Sequence, residues 1–125
     1  MTIPILGVYE VVLRVRQLAR AEKFYMEVLG LEVGLRIPER NMLFLRAGGL
    51  GGMVVLQEDT GDWPTQHFAL TVDEAEIERA ANILRERGVE VEGPVLHEWM
   101  PALSLYFTDP DGHDLELCAP VKRSS

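Results

Sequence analysis

The chain has 125 residues, 47% of them hydrophobic and 26% charged, and a formal net charge of −8. This is the composition of one globular domain over residues 1–125, and no apolar run is long enough to cross a bilayer. The acidic balance opposes nucleic-acid binding, which needs clustered Lys and Arg, and the single cysteine, Cys118, rules out an intrachain disulfide or a multi-cysteine zinc site. Met1-Thr2-Ile3-Pro4 has neither the basic start nor the apolar stretch of a signal peptide, so a cytoplasmic location is the expectation.

Residues 7 to 16 read as a first strand. Within it Glu10-Val11-Val12-Leu13-Arg14-Val15 alternates, so that Val11, Leu13 and Val15 share one face and Glu10 and Arg14 the other. Leu18 to Leu29 reads as a helix, with Leu18, Ala21, Phe24, Tyr25 and Val28 at helical spacing and Gly30 closing it in a left-handed conformation. Leu31 to Ile37 is the second strand and Pro38-Glu39-Arg40-Asn41 a turn. Met42 to Ala47 and Met53 to Glu58 form a hairpin around Gly48, Gly49, Gly51 and Gly52, a run without the following helix and Lys-Ser/Thr of a phosphate loop.

Asp59 to Gln66, polar and broken by Gly61 and Pro64, is the linker to a second copy of the same pattern. His67-Phe68-Ala69-Leu70-Thr71-Val72 repeats the first strand, and Glu86-Arg87-Gly88-Val89-Glu90-Val91 echoes Val28-Leu29-Gly30-Leu31-Glu32-Val33. Between them Glu74 to Arg87 is a helix buried along Ile77, Ala80, Ala81 and Leu84. Val89 to Glu92 and Val95 to Glu98 are strand-like around Gly93-Pro94, and Leu103 to Thr108 and His113 to Cys118 are joined by the turn Asp109-Pro110-Asp111-Gly112. The fold class is therefore α+β: two βαβββ modules, at 5–58 and 67–120, sharing one core across the linker at 59–66.

Glu10 and His67 are equivalent under the repeat, and Glu116 alternates with Leu115 and Leu117, so all three face away from the apolar layer. Read singly, each suits a solvated strand position. Read together, one imidazole and two carboxylates suit one divalent metal ion such as Fe, Mn, Zn or Ni, and they would repel one another without a cation. Arg14 shares the face of Glu10, where a salt bridge is preferred to a substrate contact. Trp63, Trp99, Met100 and Tyr106 could furnish an apolar wall beside the metal, with packing an equal reading for the tryptophans and Met100. His97 and His113 are placed at the surface, His97 being the better pocket candidate, and Cys118 shares the face of Glu116 without an activating base.

The stretches EVVLRVRQLARAEKFYMEVLGLEV, HFALTVD and SLYFTDPDGHDLEL, with the repeat, resemble the vicinal oxygen chelate superfamily over residues 5 to 120. That group includes glyoxalase I, methylmalonyl-CoA epimerase, extradiol dioxygenases, and the fosfomycin and bleomycin resistance proteins. The resemblance implies a curved mixed sheet around a concave site, with the helices on its outer face, and often a homodimer. It implies metal ligands at Glu10, where histidine is commoner, at His67 and at Glu116. A fourth family ligand, which also serves as a base, would fall on Leu56, with Gln57 and Glu58 as competing registers. The expected function is a metal-dependent lyase, isomerase or dioxygenase acting on a small oxygen-chelating substrate. The rival is a metal-free drug- or metabolite-binding protein of the bleomycin-resistance kind, and one fold hosts both.

Overall fold

The computed structural model describes residues 2–49 and 51–121. The chain divides into two compact units, Met1–Trp63 and Pro64–Ser125, with the boundary inside the polar 59–66 stretch.

In the first unit β1 (Glu10–Val15) leads into α1 (Leu18–Lys23), then β2 (Glu32–Ile37), β3 (Met42–Arg46) and β4 (Met53–Glu58). The sheet order is β1-β4-β3-β2, with β1 parallel to β4 and the other pairs antiparallel. Alternation decides the faces. Leu13, Val15, Leu43, Leu45, Val54 and Leu56 are buried, as are Ala21 and Tyr25 from the helical segment, and α1 packs on β3 and β4. The helix expected to continue to Leu29 changes character at Phe24, and Phe24–Val28 is a π-helical turn in which Leu29 N–H reaches the Phe24 carbonyl at 3.1 Å. Gly30 then stops the chain at φ +79°, as its placement led one to expect. Glu22 on α1 accepts from Arg36 on β2, and that hydrogen bond, with the carboxylate's charge, raises the guanidinium pKa above its ordinary value.

The second unit repeats the design: β5 (His67–Thr71), α2 (Ile77–Glu86), β6 (Glu92–His97), β7 (Ala102–Thr108) and β8 (Asp114–Pro120), in the order β5-β8-β7-β6. Here β5 is parallel to β8, and α2 covers one face through Ile77, Ala81 and Leu84, packing on β6, β7 and β8. The two short strands expected on either side of Gly93-Pro94 are one strand, β6, with an irregularity between Glu92 and Val95 where its pairing to β7 shifts. Gly93 sits there at φ +112°, and a Cβ on it would come within 2.5 Å of the Ser104 carbonyl. The close approach of β7 requires glycine at this point.

Each unit is thus a mixed four-stranded sheet with its helix on one face; the other face carries Glu10, Arg14 and Val55 in the first unit and His67, Ser104 and Glu116 in the second.

Candidate functional site

Residues directly opposite one another on paired strands share a face, so the register fixes what the open face of the second sheet carries. His67 is opposite Asp114, Ala69 opposite Glu116, Tyr106 opposite Glu116, and Ser104 opposite Cys118. His67, Glu116, Ser104 and Tyr106 therefore lie together, backed by Phe68, Leu70, Leu105, Phe107, Leu115 and Leu117 on the helix side.

On this face His67 Nε2 lies 3.3 Å from Glu116 Oε1. The other ring nitrogen, Nδ1, is 3.1 Å from the Asp114 carbonyl. A carbonyl only accepts, so Nδ1 carries the proton and donates it, which leaves Nε2 of a neutral ring as a lone pair aimed at a carboxylate oxygen. Two acceptors at that separation repel unless a cation, a proton or a metal ion, lies between them. The second carboxylate oxygen, Oε2, accepts from the Ser104 hydroxyl at 2.6 Å. Ser104 is fully buried and Glu116 only 7% exposed, so this hydrogen bond holds the carboxylate in one orientation. Each of the two donors is thus oriented by a second group, as metal-binding imidazoles and carboxylates usually are, and the pair fits a divalent ion.

Further along the same face the Tyr106 hydroxyl and His97 Nε2 share a hydrogen bond of 2.5 Å. Tyr106 lines a cavity of about 620 Å³ together with His67. Of the apolar wall expected from the sequence, Tyr106 lies here, and His97, the separate pocket candidate, is bonded to it. Trp99 sits in the β6–β7 turn at 80% exposure, its ring centroid 6.1 Å from that of His97, and Met100 beside it is 40% exposed.

The remaining expected residues belong to the first unit. Glu10 is exposed at the start of β1. Arg14 pairs with Asp59 at 3.8 Å, the salt bridge preferred above. Trp63 is held by its own neighbourhood: its indole N–H donates to the Asp59 carbonyl at 3.0 Å and the Arg16 guanidinium stacks 4.9 Å from the ring centroid. Among the described residues, no three His, Cys, Asp or Glu side chains of one chain are grouped closely enough to hold a metal.

Two expectations are corrected. Leu56 does not face the open side: it is opposite both Leu13 and Leu43, is fully buried with them, and belongs to the helix face. The equivalent of Glu116 is Val55, because Val12 pairs with Val55 as Ala69 pairs with Glu116. His113 is not at the surface but fully buried. Its Nδ1 accepts from the Gln66 N–H at 2.9 Å and its own N–H donates to Asp109 Oδ1 at 2.9 Å, so the imidazole ties the start of β5 to the turn before β8.

Ser104 and Asp114 were not singled out from the sequence. Alternation with Leu103 and Leu105 would have put Ser104 on the right face, but nothing local says that Glu116 is its partner.

A family profile described as the Glyoxalase/Bleomycin resistance protein/Dioxygenase superfamily matches residues 7–117. The crystal structure of integron cassette protein HFX_CASS4, from the mobile metagenome of the Halifax Harbour sewage outfall, is similar at 48% identity and a TM-score of 0.88, over 92% of this chain and 99% of that one. TnmS3, an antibiotic binding protein from Streptomyces sp. CB03234, is 25% identical with a TM-score of 0.79, over 96% of this chain and 100% of its own. Metallothiol transferase FosB from Staphylococcus haemolyticus is 26% identical over 117 residues, which is 89% of this chain and 81% of FosB. With the two βαβββ units and the open-faced pair His67–Glu116, these likenesses give one conclusion: the chain belongs to the Glyoxalase/Bleomycin resistance protein/Dioxygenase superfamily.

Proposed function

We propose that the protein is a divalent-metal-dependent enzyme acting on a small substrate whose oxygen atoms chelate the ion. His67 and Glu116 would hold the metal, with Glu10 of the same chain or of a second copy as third donor. The observation that carries this reading is that His67 Nε2 and Glu116 Oε1, each side chain oriented by a second group, face one another across 3.3 Å. FosB, a metallothiol transferase by name, supports it as a relative.

A bound Fe(II), Mn(II), Zn(II) or Ni(II) would supply Lewis acidity toward substrate oxygens, or dioxygen chemistry if redox-active. The chain's own residues do the rest. Ser104 and the Asp114 carbonyl fix the two donors, so that neither must reorganise when substrate arrives. Tyr106 lines the same cavity as His67 and its hydroxyl is hydrogen-bonded to His97, which can take or return its proton, so in this reading Tyr106 acts as general acid or base at the substrate. Val55, being apolar, leaves that role open to Tyr106. Pairing of two copies is part of this reading: β1 and β2 are the edge strands of one sheet and β5 and β6 of the other, and light scattering at micromolar concentration should report a homodimer.

The rival is metal-free binding of a drug or metabolite. The likeness to TnmS3 and the apolar Val55 favour it. One experiment separates the two. Metal-free protein and protein reloaded with each ion are screened against catechols, oxoaldehyde–thiol adducts and acyl thioesters, following product and oxygen uptake. Turnover only with metal supports the enzyme, oxygen uptake marking a dioxygenase and its absence a lyase or isomerase. Tight metal-independent binding without turnover supports the rival.

A further inference from the structure

We infer that the cavity beside His67 selects substrates that carry a positive charge, with Glu92 and Glu90 as its specificity-determining residues; this rests on the site proposed at His67 and Glu116. The cavity, about 620 Å³, is lined by His67 and Tyr106 of the polar face and by Glu90, Glu92, Thr108 and Asp114 among others. The register explains why these groups converge. His67 is opposite Asp114 and Asp114 opposite Thr108, while Tyr106, opposite Glu92 and Glu116, lies in the next row, so two adjacent rows at one end of the second sheet carry these groups. Three carboxylates, of Glu90, Glu92 and Asp114, thus border the space beside Tyr106 and His67, and among the described residues no Lys or Arg lines it. Arg85, next to this stretch of chain, donates to the Val91 and Gly93 carbonyls and lines a neighbouring groove with Glu90.

The charges of the metal's own ligands are cancelled by a divalent ion. Those of Glu90, Glu92 and Asp114 are not, and they remain as a negative field over the part of the substrate that projects away from the chelating oxygens. A pendant ammonium is drawn in, whereas a pendant carboxylate or phosphonate is repelled. The lining carboxylates are solvent-exposed, so the preference should be about tenfold at low salt and shrink as salt rises.

The test uses the full chain and three catechols that differ only in their side arm: aminoethyl, ethyl and carboxymethyl. Their affinities are measured by calorimetry on Mn(II)-loaded protein, and phenylethylammonium, which cannot chelate, is measured on metal-free protein. The expected result is that the aminoethyl catechol binds about tenfold tighter than the ethyl one, with the carboxymethyl weakest, and that Glu92→Gln combined with Glu90→Gln abolishes the spread. Equal affinities, or a spread untouched by the double variant, overturn the inference while leaving the metal site standing. If no catechol binds but phenylethylammonium does, and the double variant removes that binding, the charge selection stands and the metal-enzyme reading falls. Failure of every probe to bind overturns the inference.

Discussion

Val55 holds in the first unit the strand position that Glu116 holds in the second: each is opposite the residue two steps beyond the proposed ligand that opens its sheet, Glu10 in one case and His67 in the other. Val55 is fully buried, and Glu116 nearly so. The same backbone slot is apolar in one copy of the repeat and ionisable in the other. A carboxylate at Val55 would have to be desolvated without a partner such as Ser104, so Val55→Glu is expected to destabilise the metal-free protein by about 3 kcal/mol or more. Urea denaturation measures this, and an unchanged midpoint would mean that the slot is not dry.

The proposed metal ligands should reveal themselves one at a time. Replacing His67, Glu116 or Glu10 by Ala is expected to weaken divalent-ion affinity by roughly tenfold or more each, as loss of a donor does. Elemental analysis of dialysed protein and calorimetric titration give the answer. Wild-type affinity in the Glu10 variant alone would leave a two-residue centre at His67 and Glu116.

Ser104 acts through Glu116, and its removal should be visible even without metal. Ser104→Ala leaves Oε2 of a buried carboxylate without its hydroxyl donor, which is expected to cost about 1–3 kcal/mol of folding stability. The metal affinity of this variant should fall less than that of Glu116→Ala, because the ligating group is still there. An effect on stability with none on metal affinity would reduce Ser104 to a structural role.

Tyr106→Phe deletes one hydroxyl from a half-buried ring and should leave the fold and the metal affinity close to wild type. If the phenol transfers the proton, turnover should drop by about 100-fold or more, within the range of a lost general acid or base. His97→Gln should shift the pH profile of the remaining activity, since the hydrogen-bonded partner of the phenol has changed. A Tyr106→Phe variant with full kcat would exclude the phenol from the chemistry.

Much of this architecture was readable before any coordinates. The direction of a side chain on a strand is set by the pleat of its own backbone, so alternation alone put Glu10 and Arg14 opposite Leu13 and Val15, and placed Glu116 on the face away from Leu115 and Leu117. The repeat made Glu10 and His67 equivalent, Gly30 marked the end of its helix because glycine takes positive φ without strain, and Gly112 marked the last position of its turn.

What sequence could not supply was every property that depends on which strand lies next to which. The fourth position fell on Leu56 rather than Val55 because register is a relation between two strands, and a slip of one residue exchanges the faces. His113 was placed at the surface because it follows a polar turn. Only the folded chain brings the Gln66 N–H, 47 residues away, to the ring Nδ1 and gives the buried imidazole a hydrogen-bond partner. The links from His67 to Glu116, from Glu116 to Ser104 and from Tyr106 to His97 each cross between strands. They exist only once hydrogen bonding of the sheet has set β5, β8, β7 and β6 side by side.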